Sequence, residues 1–237
     1  MTEELESLCK QLHISGMYQY ILDHQTENNG IEEFLVAACQ SELNARLISR
    51  QIRALRSAGF PTQKRFDDLI SDALPEDGRI AIPDLRSLEF VAEKKNLILV
   101  GNSGTGKTHL AVATGVCACE RNYKVLFKTA AGLVNELLEA KREGRVTIVL
   151  KQFKKFELLI LDELGYITFD LEGAELLFQL LAARHEIAST IITTNLAFSE
   201  WVKIFHDKTL TAALLDRITH KAMILNMNGS SFRRRSN

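Results

Sequence analysis

The hydrophobic and polar positions of this 237-residue chain follow two patterns, and the change falls near Asn96. Before this point the pattern is helical, and one series of apolar residues at helical spacing comprises Leu43, Leu47, Ile48, Ile52 and Leu55. Gly59 and Pro61 are expected to end this helix. The segment SDALPEDGRIAIP at 71–83 is rich in turn-forming residues and is predicted to connect the helical part to the rest of the chain.

After Asn96, five short apolar runs alternate with helical patterns. They are NLILVG at 96–101, KVLFKT at 124–129, FELLILDE at 156–163, STIITTN at 189–195 and AMILNM at 222–227. Continuous apolar strands separated by helices are typical of a parallel sheet that is covered on both faces. We therefore predict an α/β domain with a parallel five-stranded sheet at residues 76–237. A small all-α domain at residues 1–75 is predicted to precede it.

The stretch GNSGTGKT at 101–108 lies between the first predicted strand and a predicted helix. It matches the pattern G-x-x-x-x-G-K-[ST], in which backbone N–H groups and a helix N-terminus surround the phosphates of a nucleoside triphosphate. Lys107 is expected to contact the β- and γ-phosphates, and Thr108 a magnesium ion. A glycine-rich turn without a ligand is disfavoured by the strand before it and the helix after it. The predicted phosphate-binding residues are Gly101, Asn102, Ser103, Gly104, Thr105, Gly106, Lys107 and Thr108.

Two other strand ends carry polar residues that suit the same site, because ligands of α/β proteins lie at the carboxyl ends of the strands. Asp162 follows the buried run LLIL and is predicted to hold magnesium with Thr108, while Glu163 is predicted to polarise the attacking water. Asn195, at the end of the next run, is predicted to orient that water. The alternative for Asn195 is a simple Asx turn.

Charge is distributed unevenly, although the formal net charge is −1. Residues 43–66 contain no acidic side chain, and their basic residues are Arg46, Arg50, Arg53, Arg56, Lys64 and Arg65. The four arginines share a broad helix face, and such a block can neutralise DNA phosphates. We favour DNA binding over a solvated surface stripe. For Lys151, Lys154 and Lys155, DNA contact and a solvated loop are equally supported.

Composition indicates a soluble globular protein, with 46% hydrophobic and 25% charged residues. No apolar run is long enough to cross a bilayer, and the first 30 residues lack the pattern of a signal peptide. The cysteines follow neither a zinc nor a disulfide spacing, so we interpret them as buried free thiols and expect a cytoplasmic protein. They are Cys9, Cys39, Cys117 and Cys119.

The chain resembles the AAA+ ATPases of the DnaA/DnaC clade in the order of its motifs. These motifs are the phosphate loop, LLILDELGY, STIITTN, FSEW and ALLDRITHKA. Within that clade the chain most resembles the IstB-like proteins, ATP-binding helpers encoded beside the transposase in a two-gene class of bacterial insertion sequences. The resemblance covers nearly the whole chain and includes RLISRQIRALRSAGFPTQKRFDD at 46–68. It implies an AAA+ fold, ATP and Mg²⁺ as cofactors, and ATP hydrolysis.

The same resemblance implies roles for two arginines. Arg217 corresponds to an arginine finger that reaches the nucleotide of an adjacent subunit, and Arg233 to a sensor-2 arginine that touches the γ-phosphate in its own subunit. Without the resemblance, Arg217 would be an ordinary charge on a helix surface. Family members usually continue beyond this point, whereas this sequence stops at Asn237, so Arg233 is expected to be held less firmly.

A finger that acts on a neighbouring subunit implies a homo-oligomer with ATP at the subunit boundaries. The function implied is a transposition helper that assembles on double-stranded DNA without sequence preference and recruits or stimulates a transposase. A DnaC-type replicative helicase loader is the alternative. A small-molecule P-loop kinase is disfavoured because Glu163, Asn195 and Arg217 do not belong to its scheme. A nucleotide-switched DNA adaptor without hydrolysis would not need Glu163.

Overall fold

The computed structural model of the chain describes residues 3–24 and 30–232. The chain divides into two compact units, Met1–Arg53 and Ala54–Asn237. The helical elements of the first unit are α1 (Glu3–Gln11), α2 (Ser15–Asp23) and most of α3 (Ile31–Ser57). This confirms the predicted helical N-terminal region.

Within the first unit, Glu42 of α3 caps the N-terminus of α2. No side chain at the preceding Ile14 performs this role, and the backbone N–H groups of Gly16 and Met17 donate to Glu42 Oε2 at 2.7 and 3.2 Å. Arg46 Nε lies 2.6 Å from the other carboxylate oxygen. Burial by itself would raise the pKa of Glu42, but the hydrogen bonds from Arg46 and the two N–H groups outweigh it, and the pKa is lowered.

The second unit contains a sheet of five strands and the helices that follow α3. Its helices are α4 (Glu76–Ile80), α5 (Ile82–Ser87), α6 (Glu89–Ala92), α7 (Lys107–Glu120), α8 (Ala130–Arg142), α9 (Val146–Phe153), α10 (Leu171–Arg184), α11 (Val202–Phe205) and α12 (Lys208–Thr219). Single 3-10 turns lie at Phe66–Asp68, Ser71–Ala73 and Phe198–Glu200. The strands are β1 (Leu97–Val100), β2 (Val125–Thr129), β3 (Leu158–Leu164), β4 (Ser189–Thr194) and β5 (Met223–Asn226).

All strand pairs are parallel, and the order across the sheet is β2-β3-β4-β1-β5. The α/β class and the five-stranded parallel sheet are therefore confirmed. Both faces of the sheet are covered. Alternate residues of each strand point to opposite faces, so each strand contributes side chains to two clusters. Leu97 and Leu99 of β1 pack into the cluster that contains α7, and Ile98 into the cluster that contains α8 and α10.

The two units divide at residue 53, inside α3, while the domain boundary at residue 75 stays a prediction. Residues 54–75 belong to the second unit because their apolar side chains, including Phe60, Phe66 and Leu74, pack in the same cluster as β1 and α7. The backbone of this segment also contacts the edge strand β2, since Ala58 O accepts a hydrogen bond of 2.7 Å from Phe127 N. The apolar residues of the segment therefore belong to the core of the second unit.

Arg184, at the end of α10, is almost completely buried and bonded to neutral oxygens. Its guanidinium donates to the backbone carbonyls of Phe153, Phe156 and Ser189 at 2.6 to 3.0 Å, and to Thr190 Oγ1 at 3.3 Å. Burial lowers its pKa to about 10, so it stays protonated at neutral pH. The side chain joins the end of α9 to the starts of β3 and β4.

The cysteines are free thiols, but only some are buried as predicted. Cys9 and Cys119 are buried, and burial raises the pKa of Cys119 to about 12. Cys39 is exposed because its position on α3 points to solvent, and Cys117 is half-buried. Among the helices of the described residues, none combines the length and hydrophobicity that crossing a bilayer requires.

Candidate active site

The loop at 101–108 connects the carboxyl end of β1 to the N-terminus of α7, as predicted. Gly104 and Gly106 have φ angles of +81° and +91°, which side chains with a Cβ rarely adopt. Gly101 has a different constraint, because a Cβ there would lie 2.2 Å from the backbone carbonyl carbon of Met227. These positions therefore require glycine, and they leave the loop's N–H groups and the start of α7 as an anion-binding cradle.

Lys107, the first residue of α7, is buried with 5% of its surface exposed. Its Nζ donates to the carbonyl oxygens of Gly101 and Asn102 at 2.7 and 2.6 Å. The ammonium group is thereby held across the phosphate loop, where it also lines the main cavity. This placement suits contact with the phosphates of a nucleotide.

Asp162 of β3 lies directly opposite the loop and is 3% exposed. Thr108 Oγ1 lies 3.0 and 3.1 Å from its two carboxylate oxygens. Thr193 Oγ1 of the neighbouring strand β4 donates to Asp162 Oδ1 at 2.5 Å. The structure thus brings the predicted pair Thr108 and Asp162 together and adds Thr193, which the sequence analysis did not identify.

The residues around Asp162 fit a magnesium ion. Mg²⁺ prefers oxygen ligands, and it commonly takes one or two carboxylates together with substrate phosphates. Asp162 is a buried carboxylate whose side-chain partners are the hydroxyls of Thr108 and Thr193, and it forms no ion pair within the described residues. A buried negative charge without a cationic partner is costly, so a bound cation would stabilise this arrangement.

Glu163 projects from a strained position at the same edge of the sheet. Its φ is +62°, and among the described non-glycine residues with positive φ it alone lies inside a strand. The β3–β4 pairing is irregular between Leu161 and Leu164, and Glu163 N donates to Thr193 Oγ1 at 3.0 Å. The side chain is exposed and lines the cavity, so the local strain accompanies a carboxylate that is turned toward the site.

The cavity that these residues share has a volume of about 570 Å³ and is open to solvent on one side. Its phosphate end is formed by Lys107, Thr108, Asp162 and Glu163. The lining also includes apolar residues, which are Pro61, Leu69, Ile70, Leu74, Phe127 and Phe232. A cavity of this size with both charged and apolar lining accommodates a nucleotide.

The comparison of the chain with protein families gives one match that spans nearly its whole length. The model described as IstB-like ATP binding protein matches residues 5–237. The chain belongs to this family. The ATP-binding protein of insertion sequence IS5376 from Geobacillus stearothermophilus is 36% identical over 99% of this chain and 95% of its own length. The corresponding protein of IS21 from Pseudomonas aeruginosa is 37% identical over 98% of this chain and 88% of its own length.

Solved structures place the IstB-like fold of this chain among the AAA+ proteins of the DnaA/DnaC clade, as predicted. The crystal structure of DnaI is 25% identical, with a TM-score of 0.59, over 74% of this chain and 93% of that chain. AMPPCP-bound DnaA from Aquifex aeolicus has the same TM-score at 17% identity and covers 71% of this chain and 51% of that chain. At 17% identity, the second likeness concerns the fold alone.

Two residues predicted to act with the phosphate site do not line its cavity. Asn195 follows β4 directly, but its side chain is exposed to solvent. Arg217 lies on the last turns of α12, where its guanidinium donates to Ala213 O at 2.7 Å and stands 5.7 Å from the Phe178 ring. Arg233 lies outside the described residues. Among the described residues, the phosphate site is thus assembled without Asn195 and Arg217.

The predicted DNA-binding residues divide into three groups. Arg50, Arg53 and Arg56 are exposed on α3 and form no ion pair within the described residues. Arg46 is exposed too, but it pairs with Glu42 and also donates to His13 O. The third group has other contacts. Lys64 lines the nucleotide cavity, and Arg65 pairs with Glu120.

A second contact set that the sequence analysis missed braces the phosphate loop from the chain segment after β5. Asn228 Oδ1 accepts from Asn102 N at 3.1 Å, and Phe232 N donates to Gly104 O at 2.9 Å. Gly104 also approaches Ser231 so closely that a Cβ would lie 2.2 Å from its hydroxyl oxygen. Asn228 and Ser231 are small and polar, and Phe232 contributes its backbone N–H, so the spacing of these residues carried no signal of this role.

Proposed function

We propose that this protein is an ATP-dependent transposition helper in the cytoplasm. It binds and hydrolyses ATP with Mg²⁺, assembles on double-stranded DNA without sequence preference, and recruits or stimulates a transposase. Family membership supports this proposal, since relatives that match almost end to end are described as ATP-binding proteins of insertion sequences. The nucleotide part is supported further by the geometry of one cluster.

The observation that carries the ATPase assignment is the cluster of Thr108, Asp162 and Glu163 facing the phosphate loop. Thr108 and Asp162 would hold Mg²⁺, which when bound neutralises phosphate charge. Lys107 places a positive charge where the phosphates enter, and stabilises negative charge on them. Glu163, exposed to the cavity, accepts a proton from the attacking water. Loss of Glu163 should therefore stop hydrolysis without preventing binding.

The experiment that tests this assignment compares Glu163→Gln with the exposed surface variant Glu139→Gln. Glu163→Gln should bind ATP as the unmodified protein does and hydrolyse it on the order of 10²- to 10⁴-fold more slowly. Glu139→Gln should behave as the unmodified protein. Unchanged turnover in Glu163→Gln would remove Glu163 from this role and favour a nucleotide-switched adaptor.

We place Asn195 and Arg217 in a second half of the site that forms only when two copies meet. Arg217 of one copy reaches the nucleotide of the next, and Asn195 orients the attacking water once the boundary closes. Support comes from the position of Arg217 outside its own cavity and from its sparse contacts within the chain. A head-to-tail boundary of this kind repeats into an oligomer with ATP at each junction. Arg233 would act at the γ-phosphate.

The DNA contact is assigned to the basic face of α3. Arg50, Arg53 and Arg56 are exposed and without ion pairs among the described residues, which suits phosphate contacts that carry no sequence information. Arg46 contributes less because Glu42 partly neutralises it. Lys151, Lys154 and Lys155, exposed around the end of α9, are a second surface of the same chemistry.

A DnaC-type helicase loader would have the same ATPase half. The test must therefore distinguish the two functions by the partner that the protein binds. Particle mass measured with and without duplex DNA and ATP does so. Large assemblies that require both ligands support the transposition helper. A particle that ignores duplex DNA but binds a replicative helicase would overturn the helper assignment while leaving the ATPase in place.

A further inference from the structure

Thr193 is a buried hydroxyl that contacts both acidic residues of the candidate site. It is 1% exposed and lies near the end of β4, which pairs with β3. Its Oγ1 donates to Asp162 Oδ1 at 2.5 Å and accepts from the backbone N–H of Glu163 at 3.0 Å. A hydroxyl has one proton to donate. Thr193 donates that proton to the Asp162 carboxylate, and a lone pair of its oxygen accepts the hydrogen bond from the backbone N–H of Glu163.

These two hydrogen bonds connect the carboxylate that would hold the cation to the backbone of the residue that would activate water. Asp162 Oδ1 also lies 3.0 Å from Thr108 Oγ1, a hydroxyl that belongs to the phosphate loop. Thr193 is on the sheet, so its bond to Asp162 does not depend on the loop. The bond to Glu163 N stabilises a residue whose φ is +62° and which interrupts the regular β3–β4 pairing.

A structural explanation of Thr193 is that a β-branched residue suits a buried strand. Valine, with almost the same shape, would satisfy that need equally well. It would remove the acceptor of the Glu163 N–H and leave Asp162 Oδ1 with the hydroxyl of Thr108 alone. Thr190, on the same strand and 3% exposed, offers a matched comparison, because its hydroxyl accepts from Arg184 and contacts neither acid.

We propose that Thr193 is a positioning residue of the ATPase, which fixes the Asp162 carboxylate toward the cation and the Glu163 backbone toward the cavity through one hydroxyl. This inference rests on the proposed ATPase function. It extends that function to a buried hydroxyl at the edge of the cavity. The hydroxyl, rather than the shape of the side chain, is the part required.

The test compares Thr193→Val, Thr193→Ser and the control Thr190→Val in the full chain. Three quantities are measured: kcat for ATP, the Mg²⁺ concentration that gives half-maximal activity, and the affinity for a fluorescent ATP analogue without Mg²⁺. Thr193→Val should lower kcat and raise the half-saturating Mg²⁺ concentration, each by about 10- to 100-fold. Its Mg²⁺-free affinity should stay within about twofold, because the phosphate loop is unchanged.

Thr193→Ser keeps the hydroxyl and should recover kcat and Mg²⁺ dependence to within about threefold, while Thr190→Val should leave both unchanged. Equal behaviour of Thr193→Ser and Thr193→Val would overturn the proposal, and so would unchanged Mg²⁺ dependence in Thr193→Val. If Thr193→Val does not fold, Thr193→Ala removes the same hydroxyl and is judged by the same outcomes.

A second readout separates this inference from the ATPase function itself. The rise in melting temperature with increasing Mg²⁺, in the presence of a non-hydrolysable ATP analogue, requires no turnover. If the unmodified protein fails to hydrolyse ATP, the ATPase proposal fails. The positioning role of Thr193 toward Mg²⁺ is then supported if Thr193→Val needs a higher Mg²⁺ concentration for the same rise in melting temperature. It is overturned if Thr193→Val and the unmodified protein need the same Mg²⁺ concentration.

Discussion

The site that we propose has two halves, and they differ in how completely one chain builds them. In the inner half, hydrogen bonds of 2.5 to 3.1 Å connect Thr108, Asp162 and Thr193, and Lys107 is bonded to two carbonyl oxygens of the phosphate loop. In the outer half, Asn195 is exposed, and the guanidinium of Arg217 donates to a carbonyl of its own helix and stands near the Phe178 ring.

This difference indicates how the protein can couple nucleotide to assembly. A site that is complete within one chain can bind its ligand before any partner arrives, because its groups are already oriented. In the proposed outer half, Arg217 would gain its contact with a nucleotide only at a boundary between copies. We infer that binding belongs to the single chain and rapid hydrolysis to the oligomer. The following predictions test that division.

The largest effect is expected from Arg217→Ala. Hydrolysis in the presence of DNA should fall on the order of 10³-fold, the scale on which an arginine finger contributes. ATP binding and the melting temperature of the single chain should hardly change, because the lost contacts are one carbonyl of the same helix and one ring. Lys208→Ala, at the exposed start of the same helix, is the control. A large drop in melting temperature would contradict the account.

Arg184→Met should show the reverse pattern, because this arginine is bonded entirely within the chain. Removing the guanidinium leaves three carbonyl oxygens and one hydroxyl without their partner. The second unit should lose about 3–5 kcal/mol of unfolding free energy, measured by denaturant titration. ATP turnover per folded molecule should be retained. A variant as stable as the unmodified protein would show that these hydrogen bonds are dispensable.

A smaller effect is expected from Glu42→Gln in the first unit. The folded-state pKa of Glu42 lies below its ordinary value of 4.5. Its contribution to stability is therefore present above pH 4.5 and is lost as pH falls through the folded-state pKa. At pH 7 the variant should be less stable by about 1–2 kcal/mol. The difference between the two proteins, followed by denaturant titration, should disappear toward acid. A constant difference would show that the charge is unimportant.

The smallest effect is a difference between Arg50 and Arg46 of α3 in their contribution to DNA binding. Duplex DNA affinity is measured as a function of salt for Arg50→Ala and Arg46→Ala. The log–log slope should decrease by about 1 for Arg50→Ala. It should change less for Arg46→Ala, since Arg46 is already paired with Glu42. No change in either variant would assign the basic face of α3 to solvent rather than DNA.

The strands were predictable from sequence because each is a short, continuous apolar run. Predicted and observed bounds of the third strand, for example, are 156–163 and Leu158–Leu164. Lys107, Thr108 and Asp162 were predictable because the phosphate loop and the acidic strand end have fixed positions in an α/β sheet. The described residues place all three around one cavity.

Other features depend on contacts that the linear pattern does not encode. Thr193 reads as an ordinary β-branched strand residue, and its role follows only from the pairing of β4 with β3. A buried strand with several threonines carries a weak signal, since buried hydroxyls need partners. The ion pair of Arg46 was missed because Glu42 lies one helical turn before the basic block. The packing of Phe60, Phe66 and Leu74 with the core of the second unit also carried no signal in the linear pattern.

The most direct test of the central claim is a mixing experiment with two inactive variants. Lys107→Ala lacks the phosphate-binding charge but keeps Arg217, and Arg217→Ala keeps an intact cavity. Each alone should hydrolyse ATP poorly in the presence of duplex DNA. If Arg217 completes the site of a neighbouring copy, an equimolar mixture should recover hydrolysis well above the sum of the separate activities. A mixture no more active than that sum would contradict a site shared between subunits.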